Sequence, residues 1–420
     1  MTTTDVSEKM MGFVSSLGVP ENKIQRNAYD ELIQLDFPTT KDEYWKYTRL
    51  TKISGLTWNR SSLSALSKSD IEKYIKEKNY LVIENGKYRA DLSSLSLPGI
   101  NITVRAGEAY TEENNNQKQV GRSHIFTWIN QAYFHDEITF SIASKTDIQE
   151  QIQLIFLTTG ENVMSNPRVK FISEKSSSCS FSLLHVSTND HCLTNPFIMA
   201  HVDENARLTL DKIQMEHENC RHISTEQIFQ AANSFFQLNT MVLDGGLVRN
   251  NVNVSVDGMN AETHLNGAII TSGKTHTDNH TFVSHNVAQC FSNENYKYVL
   301  DGNATGVFNG RVIVQQDAQK INAYQKNANI LLSDLAQIYS KPELEIYADD
   351  VKCSHGSTTG QLDDNAIFYL QARGISKTKA IKILVAAFTE EIIGQFKNEN
   401  IRSLIHEVLV EKHGWDEPLS

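Results

Sequence analysis

Proline is scarce in this chain, with seven residues in 420, and no stretch is low in complexity. A chain with so few breakers and no biased tract is expected to fold along most of its length. Long apolar runs are also missing: none approaches the roughly 18 residues that a membrane-crossing helix needs. The first residues, from Met1 to Lys9, carry neither the basic nor the apolar block of a secretion signal. Positive charge is in deficit. Lys and Arg number 39 against 50 Asp and Glu, a formal net charge of −11, which argues against an open nucleic-acid surface. Cysteine occurs five times, at 179, 192, 220, 290 and 353, at wide and uneven spacings unlike a disulfide framework. The expected setting is a reducing cytoplasm, with neither membrane nor nucleic acid as a partner.

What is present fits an ordinary globular protein: 40% hydrophobic and 21% charged residues, in a chain long enough for one large core or several smaller ones. Up to about residue 90 the spacing is mostly helical. Phe13, Val14 and Leu17 share a face, as do Ala28, Leu32 and Leu35, and Ser69-Asp70 is placed to cap a helix carrying Ile71, Tyr74 and Ile75. Between them, Phe37 to Thr48 is dense in aromatics. These are expected to pack onto the next domain. A stacking platform for nucleic acid would need basic charge that the region lacks.

From about 98 to 348 the period changes to two. Strand-like runs recur at 101–105, 137–142, 151–156, 168–172, 180–184, 206–210, 235–239 and 252–256, and Asp-Gly pairs at 244–245, 257–258 and 301–302 mark turns. Paired sandwiches, a propeller or a β-solenoid can hold so many short strands. No blade repeat is found. Asn250, Asn251, Asn253, Asn260, Asn266, Gly267, Gly273 and Asn279 suit the tight corners of stacked coils, so a solenoid with little helix inside it is expected. After Gly360 three amphipathic helices follow. Asp363 and Ser376 are placed to cap the first two, and stripes run through Ile367 and Leu370, through Ile381, Leu384, Val385, Phe388 and Ile392, and through Ile401, Leu404, Ile405, Val408 and Leu409. Packing on the core is the expected use of these stripes, with docking of a partner as the alternative.

Few constellations carry chemistry. Gly267 to Thr275 imitates a phosphate-binding loop, but five residues separate its glycines and no helix follows. His276, His280, His285 and Cys290 form a polar cluster, yet an odd spacing sends His280 and His285 to opposite faces of a plain strand, so hydrogen-bonded corner residues are expected instead of a metal site. No Gly-x-Ser-x-Gly elbow is present. A β-helical carbohydrate-active enzyme would need convergent carboxylates, and the adjacent Asp349 and Asp350 diverge on a strand. Cys353 and His355 remain. On an extended chain Asp349, Val351, Cys353 and His355 share a face, and a thiol and an imidazole can share a soft metal or an iron–sulfur unit. Two ligands do not complete such a site.

Asp350 to Asp363, preceded by Lys341 to Ala348, resembles the signature of the SufB/SufD family of iron–sulfur cluster assembly proteins. Gly306-Val-Phe-Asn-Gly310, Ala318-Gln-Lys320, Gln325, Asn329 to Ser333, Tyr296 to Leu300 and Ala366 to Gly374 belong to the same resemblance, which is dense from about 245 to 396. The segment from Glu43 to Thr48 also fits. Within the family the chain is more similar to SufD. It lacks an N-terminal cysteine cluster of the SufB kind and has Thr389-Glu-Glu391 where SufB-like chains carry a His–Glu site. It departs from the family pattern at Ser357-Thr-Thr359, where Ala-Thr-Val is usual, and at Ile321-Asn322, where Thr-Asp is common. The resemblance implies a right-handed parallel β-helix core over 96–356, flanked by helical domains over 1–95 and 357–420. It implies a scaffold subunit without catalysis, paired with a SufB-like subunit through the β-helix edge, with a SufC-like ATPase on the C-terminal helices. A homodimer is an alternative for the isolated chain. It further implies no tightly bound cofactor in the isolated chain, with iron or a nascent iron–sulfur cluster held at the partner interface, where His355 occupies the family's histidine position and Cys353 lies beside it.

Overall fold

The computed structural model describes residues 3–60, 63–109, 125–189 and 191–414. From Phe197–Val202 onward its strands pair with the second strand along the chain, not with the next. Phe235–Asp244 lies between Arg207–Met215 and Glu262–Thr271, and Leu247–Val256 lies between Arg221–Gln230 and His276–His285, all parallel and in register. Each coil therefore gives one strand to each of two facing sheets. The result is a parallel β-solenoid of about eight turns with helices at both ends.

The alternation read from the sequence has a direct structural cause. Inward residues stack coil upon coil: Ile152, Phe181, Leu210, Leu238 and Leu265 occupy one column, all fully buried. Burying each such side chain contributes about 1.5–3 kcal/mol. One corner of the coil repeats with equal regularity. Lys145, Ser176, Asn205, Asn233, Asn260, Gln289 and Lys320 all have φ between 55° and 64°. The backbone N–H of Asn205 donates to the Ala232 carbonyl, that of Asn233 to Met259 and that of Gln289 to Gln319, each at the corner of the next coil. The left-handed conformation costs a non-glycine residue about 1–2 kcal/mol, and the hydrogen bond to the next coil offsets it.

The helical segments cover the outer faces. Thr3–Ser15, Lys23–Leu32 and Ile125–Tyr133 bring Phe13, Leu32 and Ile129 into one cluster with Ile223 and Leu247 of one sheet. Lys377–Ile393 and Glu399–His413 bury Val385, Ile392, Ile401 and Leu409 against Leu184, Ile213, Met241 and Ile270 of the other. Asp363 and Ser376 cap as expected, with side chains accepting from Asn365 N–H and Lys379 N–H. The aromatic segment packs onto the solenoid: Trp45 is buried and lies 3.8 Å from the Arg249 guanidinium, and Tyr47 stacks on Tyr339 at 4.3 Å.

Several sequence expectations need correction. The short helix Lys68–Ile71 is capped by Ser67, whose backbone N–H donates to Asp70, not by Ser69-Asp70. The region before residue 90 is not all helix, since Tyr80–Glu84 pairs in parallel with Ile152–Thr158. Helix Ile125–Tyr133 interrupts a stretch read as strands. Of the residues assigned to corners, only Asn260 and Gly273 have left-handed φ. Asn250, Asn251, Asn253, Asn266, Gly267 and Asn279 lie inside strands. There the amides bond between coils, as from Asn250 Nδ2 to Asn279 Oδ1 and from Asn266 Nδ2 to Asn239 Oδ1, both 2.9 Å.

Candidate functional site

The last strand, Val351–Gly360, pairs along one side with Ile321–Leu331, and among the described residues no strand lies on its other side. The facing sheet ends likewise at Gln337–Ile346. Pro342 sits in that strand, and its missing N–H falls on the open side, away from the ladder with Thr305–Val314. Both edges open at the same end of the solenoid.

Register fixes which way the terminal strand points its side chains. Cys353 lies over Ala323 and Ser292, and His355 lies over Gln325 and Glu294. Ala323, Gln325 and Glu294 are all buried. Cys353 and Val351 pack against the interior cluster. Cys353 and His355 thus face the interior of the final coil, two residues apart on one strand, a Cα separation of roughly 6.6 Å. With no further coil above them, Cys353 is half-buried and His355 is exposed. Asp349 falls in a bend before the strand and is exposed. Burial pushes the Cys353 thiol up, and the Ala323 backbone only partly counters this, so the thiol keeps its proton until a cation or base arrives. No cluster of three or more His, Cys, Asp or Glu side chains suited to a metal occurs among the described residues. Taken alone, the pair is half of a site.

The column beneath His355 changes character as it nears the open end. Its aliphatic members, ending at Leu265, give way to Glu294, Gln325 and His355. The Thr281 hydroxyl donates to Glu294 Oε2 at 2.6 Å, whereas Glu294 Oε1 and both polar atoms of the Gln325 amide have no hydrogen-bond partner. Burial raises the Glu294 carboxyl to about 7, and the Thr281 hydroxyl and then the nearby Gln325 amide only partly counter it. Glu294 was not singled out in the sequence. Its signal was a charged residue on the inward phase of Phe291–Leu300, shared with Tyr296 and Tyr298.

The histidine cluster has no common focus. His276, Asp278 and His280 share the outer face of one strand, beside Arg249, whose guanidinium donates to Asp278 at 2.6 Å. Thr48 donates to Asp278 and lies 2.9 Å from His276 Nε2, fastening the aromatic segment there. Burial alone would raise the Asp278 carboxyl, but Arg249 and then His280 hold it well below the usual range. His285 lies on the opposite, inward phase, 2.8 Å from Ser292 Oγ. These residues lie within a strand and not at corners. Cys290, just before the next strand, donates to the Gly258 carbonyl.

The first C-terminal helix turns two aromatic side chains outward, one of them under the Arg373 guanidinium. Phe368 and Tyr369 on Asp364–Gln371 are 72% and 54% exposed, while Ile367 turns inward.

Residues 156–388 match the family model described as SUF system FeS cluster assembly, SufBD core domain. An iron–sulfur cluster assembly SufBD family protein of Synechocystis is 29% identical over 88% of this chain and 86% of its own length. The iron–sulfur cluster assembly protein SufD of Escherichia coli is 26% identical over 89% of each chain. The chloroplastic protein ABCI7 of Arabidopsis thaliana is 26% identical over 92% of this chain and 85% of its own.

Proposed function

This chain belongs to the SufBD family of iron–sulfur cluster assembly proteins and is SufD-like, and from that premise we propose that it is a non-catalytic scaffold subunit of a SufBCD-type complex. Its terminal coil pairs with a SufB-like subunit, and a SufC-like ATPase docks on the C-terminal helices and supplies the ATP hydrolysis. Iron or a nascent cluster is the cargo, held where Cys353 and His355 meet ligands from the partner. The complex works in the reducing cytoplasm.

The observation that carries this reading is the terminal strand. It bears both candidate ligands on its inward phase, and among the described residues no strand pairs with the N–H and C=O groups of its outer edge. Such an edge is a template for strand addition. An incomplete donor set at an open edge is what a shared interface site requires. Exposed Phe368, beside a Tyr369 ring that carries the Arg373 guanidinium at 3.8 Å, offers the ATPase an apolar and cationic contact on the C-terminal helices.

Co-expression with SufB-like and SufC-like subunits is the direct test. The expected result is a three-component complex, and His355→Ala should lower its iron or cluster content several-fold while leaving its composition and unfolding temperature unchanged. Failure of any complex to copurify would overturn the scaffold reading. Full iron content in His355→Ala would make His355 a surface residue with no part in cargo binding.

A further inference from the structure

The inward column that ends at His355 passes through two buried polar side chains that the fold does not need. Upstream, the same positions hold Leu210, Leu238 and Leu265, so an aliphatic residue plainly suits the space. Glu294 and Gln325 are 0% and 3% exposed, and the Gln325 amide favours the Glu294 carboxylate, but Glu294 Oε1 and both Gln325 amide atoms complete no hydrogen bond. A buried polar atom left unpaired costs about 1–3 kcal/mol. Such groups in a native core call for an explanation. Their place supplies one: they lie one and two coils beneath His355, on its column.

We infer that Glu294 and Gln325 form the inner wall of the terminal half-site, Gln325 orienting the His355 imidazole and Glu294 supplying the negative charge that a bound divalent cation requires. This rests on the reading of Cys353 and His355 as the cargo site. Both are positioning residues, since neither is placed to ligate the cation directly.

The surroundings favour this charge role. Leu265, Thr281, Phe308 and Gln325 flank Glu294 from neighbouring strands, together with Gly310. A side chain at Gly310 would lie 3.1 Å from Glu294 Oε2 and 2.9 Å from Gln325 Nε2, so glycine leaves that space to the two polar groups. None of these neighbours is charged. The nearby titratable group is Tyr296, a phenol that burial keeps protonated. With no cation bound, a lone buried carboxylate is costly, and burial raises this carboxyl to about 7. A dication two coils away, about 10 Å by the strand spacing, favours the ionised form and expels the proton to bulk water. At that distance one charge changes the affinity for a dication by about tenfold, after solvent screening at the open end.

The test uses the full chain purified with its SufB-like partner, titrated anaerobically with iron(II) and, as a spectroscopic probe, cobalt(II). Glu294→Gln should weaken cation binding about tenfold at pH 8. It should also reduce the protons released per cation, and flatten the rise of affinity between pH 6 and 8. Gln325→Leu, which extends the leucine column, should fold at least as stably as wild type and also weaken binding. Wild-type affinity and proton release in Glu294→Gln, with binding lost in His355→Ala, would overturn this inference and leave the cargo site standing. Undiminished binding in His355→Ala would instead remove the cargo site itself. If Glu294→Gln does not fold, wild-type affinity in Gln325→Leu decides against the inner wall.

Discussion

Buried charges in this protein are treated in two ways. Asp278 is matched by Arg249 and Thr48 and remains ionised, whereas Glu294 has the Thr281 hydroxyl and the neighbouring Gln325 amide but no cation. The two should therefore respond oppositely to neutralisation. The folded Glu294 carboxyl sits at about 7 and its ordinary value is 4.5. Between those values the folded chain holds a proton that the unfolded chain has released, so this group's contribution to stability falls as pH rises from 4.5 to about 7. Glu294→Gln should be more stable than wild type at pH 8 by on the order of 2 kcal/mol, and little different at pH 5. Urea midpoints at the two pH values measure this, and an equal difference at both would contradict it. His285, which burial lowers to about 4, acts in the reverse sense: its contribution is lost as pH falls from 6.5 to about 4. Comparison of the variant with wild type cancels that effect. Asp278→Asn, by contrast, strands Arg249 in the core and should cost about 3–5 kcal/mol. At this scale the sequence was partly legible. The common face of Cys353 and His355 followed from a period of two, whereas the loneliness of Glu294 depends on what faces it from other coils, and no local pattern carries that.

Among the elements, the segment from Phe37 to Thr48 ties the N-terminal helices to the solenoid. Glu43 pairs with Lys341 at 2.8 Å, Tyr44 lies against His280, Trp45 covers Arg249 and Tyr47 stacks on Tyr339. The exposed ion pair is worth little, so the buried tryptophan carries most of the attachment. Trp45→Ala should destabilise this attachment by about 3–5 kcal/mol. Hydrogen exchange should show residues 43–54 opening while the coils beyond Glu262 stay protected. Uniform loss of protection would mean that the segment and solenoid unfold as one unit. The aromatic density of this segment made its packing legible. Helix Ile125–Tyr133 was not, because it is rich in β-branched and aromatic residues and buried nearly all round, with no polar stripe to reveal its period. The amides were misplaced for a related reason. Asn is at home in a left-handed corner, and it also suits the interior of a stack, where its side chain reaches the same side chain in the next coil.

At the scale of the whole molecule, the two ends of the solenoid differ. At the first coils the chain reverses: Lys87–Tyr88 runs antiparallel to Tyr80–Glu84, and Ile100–Ala106 antiparallel to Asp136–Ile142. At the last coil both strands stop in parallel register. Ser357→Pro removes a donor from the terminal edge, a place where a sheet tolerates proline. It should leave the unfolding temperature within a few degrees of wild type while abolishing copurification of the SufB-like subunit, or the self-pairing of the isolated chain. Sedimentation of the variant checks this, and an intact pair would place the interface elsewhere. The solenoid itself was legible from strand spacing and the family signature, but the contrast between its ends was not read: Asn85-Gly86, with left-handed φ at both residues, is a local hairpin signal for the first reversal, whereas the pairing of Ile100–Ala106 with Asp136–Ile142 spans a stretch that no short window displays. That contrast limits how far assembly can go. The last coil offers two open strands of 10 residues each, whereas the described edges at the first coils are strands of 2 and 7 residues that run against the rest, so strand addition favours one end and gives a closed pair more readily than a fibre.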